Sequence, residues 1–364
     1  MAIYKIFPVR DASLYSAYPN MNTGDDAILE VSNLFPDSGQ SPRVARSIVD
    51  FDGNQIVEVY NSYLNGRTWD SNLRLYAANV QGVNQATTLE VGLVSGSFDN
   101  GSGQYLDSPQ STDGVSWNWR YYSGSGAWTT PGGDILDTTS SYGPITQSMD
   151  RRTIKDLNIG VKQLVEIMLG TDSLVLYGNL ISIGTDSFIV KLVDSQEFIS
   201  GSANQPQFKF FSVDTHTIYP PHLEFKWDDF SYETGSLSPL TTSDVTIALD
   251  ENPGIFYSES INRFRLNVRP TYPTRTFQTS SIYTTNHYLP TASFYAVKDL
   301  DTNEFIIDFD STFTKISCDS TGNYFDLYMN GFEPERNYKI LIQTTISGST
   351  FVKDDDYVFK VVNG

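Results

Sequence analysis

Gln207 to Asp229 reads QFKFFSVDTHTIYPPHLEFKWDD, and the fold turns on it. Two strands are predicted, at 208–213 and 222–227, with Tyr219-Pro220-Pro221 in the link between them. In the second, Leu223, Phe225 and Trp227 alternate with His222, Glu224 and Lys226. A period of two sends successive side chains to opposite faces, so a half-buried antiparallel strand with a polar outer face is expected. Pro220 and Pro221 have no N–H to give a ladder and therefore suit a strand entry. Asp228 and Asp229 follow, then a Ser/Thr/Gly/Pro-rich run to Ser243. A strand that closes a sandwich and passes into a linker has this form.

Outward from that stretch, alternation recurs on the N-terminal side at 3–9, 28–32, 44–51, 72–78, 87–95 and 188–193. Between the first two lies ASLYSAYPNMNTGDDA, rich in turn formers. The period changes at two places. Ile56, Val59, Tyr60, Tyr63 and Leu64 fall at helical spacing with Gly66 beyond them, and Val161, Leu164, Val165, Met168 and Leu169 do so before Gly170. Each predicts a short amphipathic helix with a glycine at its end. Residues 96–148 carry little periodicity and read as a long packed or functional loop. Beyond 243, strands are predicted at 244–249, 264–268, 294–297, 305–309, 324–329, 338–345 and 357–362. The expected architecture is all-β: a jelly-roll sandwich with two short helices at 1–230, a linker at 231–243 and an immunoglobulin-like sandwich at 244–364.

Composition agrees with this class. Aromatics make up 13% of 364 residues, and aromatic and β-branched side chains suit pleated sheets. The formal charge of −19 comes with no basic run, which argues against nucleic acid and against anionic membrane. The single cysteine, Cys318, excludes an intrachain disulfide. The start, MAIYKIFPVRDA, lacks a signal pattern, and no apolar run reaches the ~18 residues of a membrane span. Synthesis and folding in a reducing cytosol are expected.

Several segments, in order, resemble the jelly-roll domains called DNRLRE or disaggregatase-related. They are RSIVDFD (46–52), LRLYAANV (73–80), the DGVSWNWRYY…AW…GGD segment (113–134), LVEIMLG (164–170) with DSFIVKLVDSQE (186–197), and FKFFSVDTHTIYPPHLEFKWDD as a closing hairpin. The last, with YSAYPNMNTGDDAILEVS and the C-terminal FEPERNYKILIQ, is similar to structural proteins of T4-like marine phages. The resemblance implies a β-sandwich virion component and supplies no catalytic residues.

His216 and His222 lie six apart and His287 stands alone, without the spacing of a zinc set; ordinary sheet-surface histidines are expected. Asp25-Asp26, Asp228-Asp229 and Asp354-Asp355-Asp356 could offer oxygens to calcium but lack the calcium-loop pattern, and more simply they solvate turns. No nucleophile motif is present, and a glycosidase needs two carboxylates at a separation that sequence does not give. Cys318 reads as a buried small hydrophobe. The best binding candidates are Trp117, Trp119, Tyr121 and Trp128, as a stack for host glycan or as packing at the end of the sandwich or at a subunit interface. No catalytic residue, cofactor or metal is expected. The leading expectation is a non-enzymatic virion structural protein of the neck, tail or baseplate, a collar, fibre or decoration subunit that docks on other virion proteins and on itself in a ring. A carbohydrate-binding module is the alternative.

Overall fold

The computed structural model describes residues 2–35, 41–122, 126–137, 144–150, 152, 156–171, 180–181, 184–199, 205–250, 252–273 and 286–364. Residues 123–125 of the aromatic loop and the side chain of Asp356 lie outside the described residues. The chain is all-β, with 45% of its residues in strands and 9% in helices. It divides into two compact units: Lys5–Ser62 with Asp70–Phe225, and Lys226–Gly364 with Met1–Tyr4 and Tyr63–Trp69.

Residues 2–227 carry β1 (Ala2–Ile6), β2 (Arg10–Tyr15), β3 (Ile28–Leu34), β4 (Arg43–Asp50), β5 (Trp69–Leu75), β6 (Ala77–Gln81), β7 (Thr87–Val94), β8 (Ile135–Leu136), β9 (Ile145–Met149), β10 (Leu157–Gly160), β11 (Ser187–Leu192), β12 (Gln207–Phe211) and β13 (His222–Trp227). They form a four-stranded sheet ordered β1-β13-β5-β10 and a nine-stranded sheet with the path β6-β12-β3-β4-β11-β7-β8, to which β2 and β9 are added. Val44 and Ile48 of β4, Ala12 and Leu14 of β2 and Ile189 of β11 share one core with Val94 and Phe98. The loop after β7 is packed and not open: Phe98, Val115, Trp117 and Trp128 from it enter that same core. Asn22 pins it, giving Nδ2 to the carbonyls of Asn100 (2.6 Å) and Val115 (2.9 Å) and accepting from Gly103 N–H at 2.7 Å. The loop also contains β8 and β9, too short to show a period.

The two strands of 207–229 do not form a hairpin. β12 pairs with β3 and β6, whereas β13 lies between β1 and β5 in the other sheet. A hairpin needs a tight two- to five-residue turn, and the link through Pro220 and Pro221 instead carries the chain from one sheet to the other. The polar face expected for β13 is also covered: His222 and Glu224 are 2% and 8% exposed. A strand flanked on both sides and overlaid by neighbouring side chains has no solvated face, whatever its alternation; the rings of Phe7 and Tyr76 sit 6.1 and 5.8 Å from His222. His222 is therefore not the sheet-surface histidine its position suggested.

Both helices are present. Asp52 caps α1 (Gly53–Val59) by accepting from Asn54 N–H at 2.9 Å. A π-helical turn, Tyr60–Leu64, continues it and puts Val59 and Leu64, five apart, on the buried side. α2 (Lys162–Leu169) buries Leu164, Val165, Ile167, Met168 and Leu169 and ends at Gly170, whose φ of 68° is the left-handed conformation that glycine adopts without strain. One further turn, α3 (Asp194–Glu197), has no periodicity to announce it.

The second unit is a sandwich of β14 (Ser238–Pro239), β15 (Val245–Asp250), β16 (Ile255–Tyr257), β17 (Ile261–Pro270), β18 (His287–Tyr288), β19 (Ser293–Asp299), β20 (Phe305–Ile307), β21 (Ser317–Asp319), β22 (Gly322–Tyr328), β23 (Asn337–Ile346) and β24 (Ser349–Val362). Its sheets run β15-β17-β22-β21 and β16-β24-β23-β19-β20, with β14 and β18 as a small separate pair. Taken as A-B-E-D against A′-G-F-C-C′, this is immunoglobulin-type order. Phe264, Phe325 and Tyr295 stack in its core, with centroid spacings of 5.5 and 4.1 Å.

Candidate functional site: a tyrosine-lined cleft

The aromatic residues singled out in the sequence part company. Trp117 and Trp128 are 8% and 5% exposed and belong to the core. The guanidinium of Arg46 covers Trp117 at 5.0 Å and that of Arg120 covers Trp128 at 4.9 Å, while Trp128 Nε1 donates to the Ser116 carbonyl at 2.9 Å. Neither ring has a face to offer a sugar. Trp119 and Tyr121 are half-buried; Trp119 Nε1 donates to Asn20 Oδ1 at 3.0 Å, and the Tyr121 hydroxyl lies 2.7 Å from Ser97 Oγ. Trp117 and Trp128 thus pack in the core, and Trp119 and Tyr121 are hydrogen-bonded to neighbouring residues.

The acidic pairs are occupied in turns. Asp26 accepts from Ile28 and Tyr105 N–H, at 3.2 and 3.1 Å, and Asp228 accepts from Phe230 N–H at 3.0 Å. Asp354 pairs with Lys339. Among the described residues no three His, Cys, Asp or Glu side chains gather as metal ligands would. His216 is exposed and His287 half-buried. Cys318 is fully buried, and burial pushes its thiol up to about 11.

Other acids are buried in the first unit. Asp11, 1% exposed, accepts from Val213 N–H at 2.8 Å; burial raises its carboxyl to about 8, with Asp214 and Asp26 adding to the rise. Asp50 accepts from Arg10 Nε at 2.6 Å and from Ser187 Oγ at 2.5 Å. Burial first, then Asp50 beside it, raises the Asp186 carboxyl. Asp11 and Asp50 are enclosed by framework residues, while Asp186 and Arg10 are half-buried.

The concave feature lies elsewhere on the same unit. Glu30 and Ser32 of β3, Gln207 and Lys209 of β12 and Arg43 and Ala45 of β4 share one sheet face, because the registers set Gln207 opposite Ser32, Lys209 opposite Glu30 and Ser32 opposite Ala45. Tyr15, Tyr18 and Tyr105 rise over that floor and leave a cleft of about 100 Å³. It continues past Tyr18 and Arg43 into a shallower groove of about 390 Å³ beside Ser16, Ser41 and Pro42. Tyr15 and Tyr105 pack with centroids 4.8 Å apart, and Tyr18 meets Tyr105 edge-on at 6.2 Å. Glu30, 5% exposed, is held by Ser32 Oγ at 2.8 Å and Gln207 Nε2 at 3.0 Å, with Lys209 Nζ at 3.8 Å. Burial, then the Glu30 charge, raises both the Tyr15 and Tyr105 phenols, so each remains a neutral O–H donor. The sequence reading missed this site. Tyr15 and Tyr18 fall in a run of turn formers that carries no binding signal, and Tyr105 reaches them only through folding.

No family model matches the chain, and no curated protein matches it. Among solved structures, a DUF4785 family protein from Legionella pneumophila is similar at 7% identity and a TM-score of 0.19, covering 98% of this chain and 66% of that one. The β-glucuronidase of Parabacteroides merdae aligns at 10% identity and a TM-score of 0.18, over 87% of this chain and 27% of its own. β-Glucuronidase 3 of Bacteroides uniformis gives 7% identity and a TM-score of 0.19, over 98% and 35%. At such TM-scores neither fold nor activity passes from them to this chain.

Proposed function

We propose that the chain is a non-enzymatic structural protein of a tailed phage particle, docking on other virion proteins in the neck, tail or baseplate. The observation that carries this is where the second unit leaves apolar side chains uncovered. Ile255 and Tyr257, 58% and 62% exposed, stand on β16 at the end of its sheet, and Ile261, 53% exposed, follows across the next turn. A sheet-end strand with bare apolar side chains is a template for another protein's edge or surface. The −19 charge suits a subunit that stays dispersed until it is placed. The resemblance of 46–52, 73–80 and 113–134 to DNRLRE-type jelly-roll domains, and of 208–229 to structural proteins of T4-like marine phages, supports the same role.

Mass spectrometry of purified virions of the phage encoding the chain is expected to find it as a stoichiometric component; its absence from them overturns the proposal. Ile255→Asp with Tyr257→Ser is expected to leave the fold intact and stop incorporation. Host-glycan recognition by the 117–128 loop, the alternative from sequence, is not favoured by two tryptophans that face the core.

A further inference from the structure

We infer that Asn65 is a site of spontaneous modification, where the side-chain amide is lost to leave an aspartyl or isoaspartyl residue. An Asn-Gly step favours this chemistry, because the attacking backbone nitrogen of a glycine has no Cβ beside it. The sequence holds four such steps, at 65–66, 100–101, 330–331 and, as its last two residues, 363–364. The fold separates the three internal ones. Asn65 and Gly66 are both exposed and take the two central positions of a β-turn, closed by Arg67 N–H on the Leu64 carbonyl at 3.0 Å. Gly66 has a φ of 76°, as the third residue of a type II turn requires, and nothing lies within 4 Å of where its side chain would start. The closing bond of the turn does not use the Gly66 N–H. The Asn65 amide has no hydrogen-bond partner among the described residues.

The other two internal steps are held. Asn100 Nδ2 donates to the Gly24 carbonyl at 2.8 Å, the Asn100 carbonyl accepts from Asn22 Nδ2 at 2.6 Å, and a Cβ on Gly101 would meet Asn22 Oδ1 at 2.4 Å. Asn330 lies in the 3-10 turn Met329–Gly331 with its Oδ1 buried, and Phe332 N–H closes that turn on the Met329 carbonyl at 3.1 Å. Either must open locally before it reacts. At Asn65 the backbone nitrogen of Gly66 attacks Cγ. The N–Cγ bond forms, the Cγ–Nδ2 bond breaks, and the Gly66 proton leaves with Nδ2 as ammonia. Water then opens the cyclic imide at either carbonyl and gives aspartate or isoaspartate, with no change of oxidation state. Each product adds a negative charge, and isoaspartate also lengthens the backbone of the turn between Leu64 and Trp69, both of which are buried.

The full chain is to be incubated in mildly alkaline buffer, native and in denaturant, and followed by peptide mapping with mass spectrometry. Enzymatic methylation of isoaspartyl residues gives a second readout. In the native chain Asn65 is expected to convert about tenfold or more faster than Asn100 and Asn330, whose reaction waits on local opening. In denaturant the three are expected to convert at similar rates, since the folded contacts that hold Asn100 and Asn330 are then gone. Asn65→Gln is expected to remove the isoaspartyl label from the peptide that carries position 65, and at an exposed turn it is expected to leave the circular dichroism unchanged. Native conversion at Asn65 no faster than at Asn100 or Asn330, an equal gap in denaturant, or label that persists in Asn65→Gln overturns the proposal. The measurement is made on the isolated chain and is separate from the virion proposal, which stands or falls on particle composition.

Discussion

Arg46 and Glu197 form a two-bonded pair within the first unit, Nε to Oε1 at 2.6 Å and Nη2 to Oε2 at 2.8 Å, across 151 positions of sequence. Arg46 is 7% exposed and Glu197 fully buried; the remaining arginine nitrogen Nη1 donates to the Gly132 carbonyl at 2.9 Å, and the guanidinium plane lies on Trp117. One side chain thus joins β4, α3 and the long loop. Removing one partner leaves the other charge buried and unpaired. Glu197→Ala is expected to cost about 3–5 kcal/mol in chemical denaturation, and the Arg46→Met/Glu197→Leu double variant to cost clearly less than either single change. Additive single costs would show that the pair is not coupled.

The tryptophans should separate by burial. Trp117→Ala and Trp128→Ala are expected to lower stability by about 3–5 kcal/mol, as large-to-small changes in a core do. Trp119→Ala, at a half-exposed site, should cost about 1 kcal/mol, mostly through its bond to Asn20. Denaturation midpoints of the three variants measure this; equal losses would contradict the placement.

Asp11 makes the first unit weaker at high pH. Its carboxyl is raised to about 8, so the folded state keeps a proton that the unfolded chain releases near 4. The folded state therefore binds more protons between those values, and stability falls as pH rises from about 4 to about 8. Asp11→Asn retains an acceptor for Val213 N–H and is expected to remove much of that fall, a gain of a few kcal/mol at neutral pH at about 1.4 kcal/mol per pH unit. A wild-type-like pH profile in the variant would remove Asp11 as the cause.

The second unit should fail in the opposite direction. Arg265 holds Asp319 well below the usual carboxylate range, and Asp299 is lowered by Arg336 despite burial that works against it. Folded-state values that are depressed give stability present above about 4 and lost as pH falls through them. Hydrogen-exchange mass spectrometry is expected to show peptides of 317–328 and 293–300 losing protection on acidification before those of the first unit's β4 and β11. Asp319→Asn should shrink the acid effect.

Cys318 is a cheap reporter of that unit. Fully buried and raised to about 11, its thiol is expected to resist disulfide-exchange reagents in native protein and to react fully in denaturant. Rapid native reaction would place it at the surface.

Strand existence was legible because the pleat imposes a two-residue period that residues such as Leu223, Phe225 and Trp227 display whichever sheet they join. Sheet membership was not, because adjacent segments such as β12 and β13 carry no mark of their lateral partners. Nor was solvent exposure, since His222 looks polar-facing until the rings of Phe7 and Tyr76 are placed beside it. Gly66 and Gly170 marked the helix ends through a local backbone requirement, and α3 is too short for any period. The cleft was out of reach for a different reason: Tyr15 and Tyr105 meet only because Asp26 and Asn22 fix a loop that carries no periodicity of its own.

The register that seats Gln207 against Ser32 has a consequence during synthesis. Gln207 Nε2 reaches Glu30 across 177 positions, so β3 waits for one of its lateral partners until a ribosome has delivered nearly the whole first unit. Contacts this distant slow folding, and an unfinished edge of that kind needs shielding while translation proceeds. Expression at reduced temperature, or alongside a chaperone that covers strand edges, should therefore raise the soluble yield more than any change at the surface.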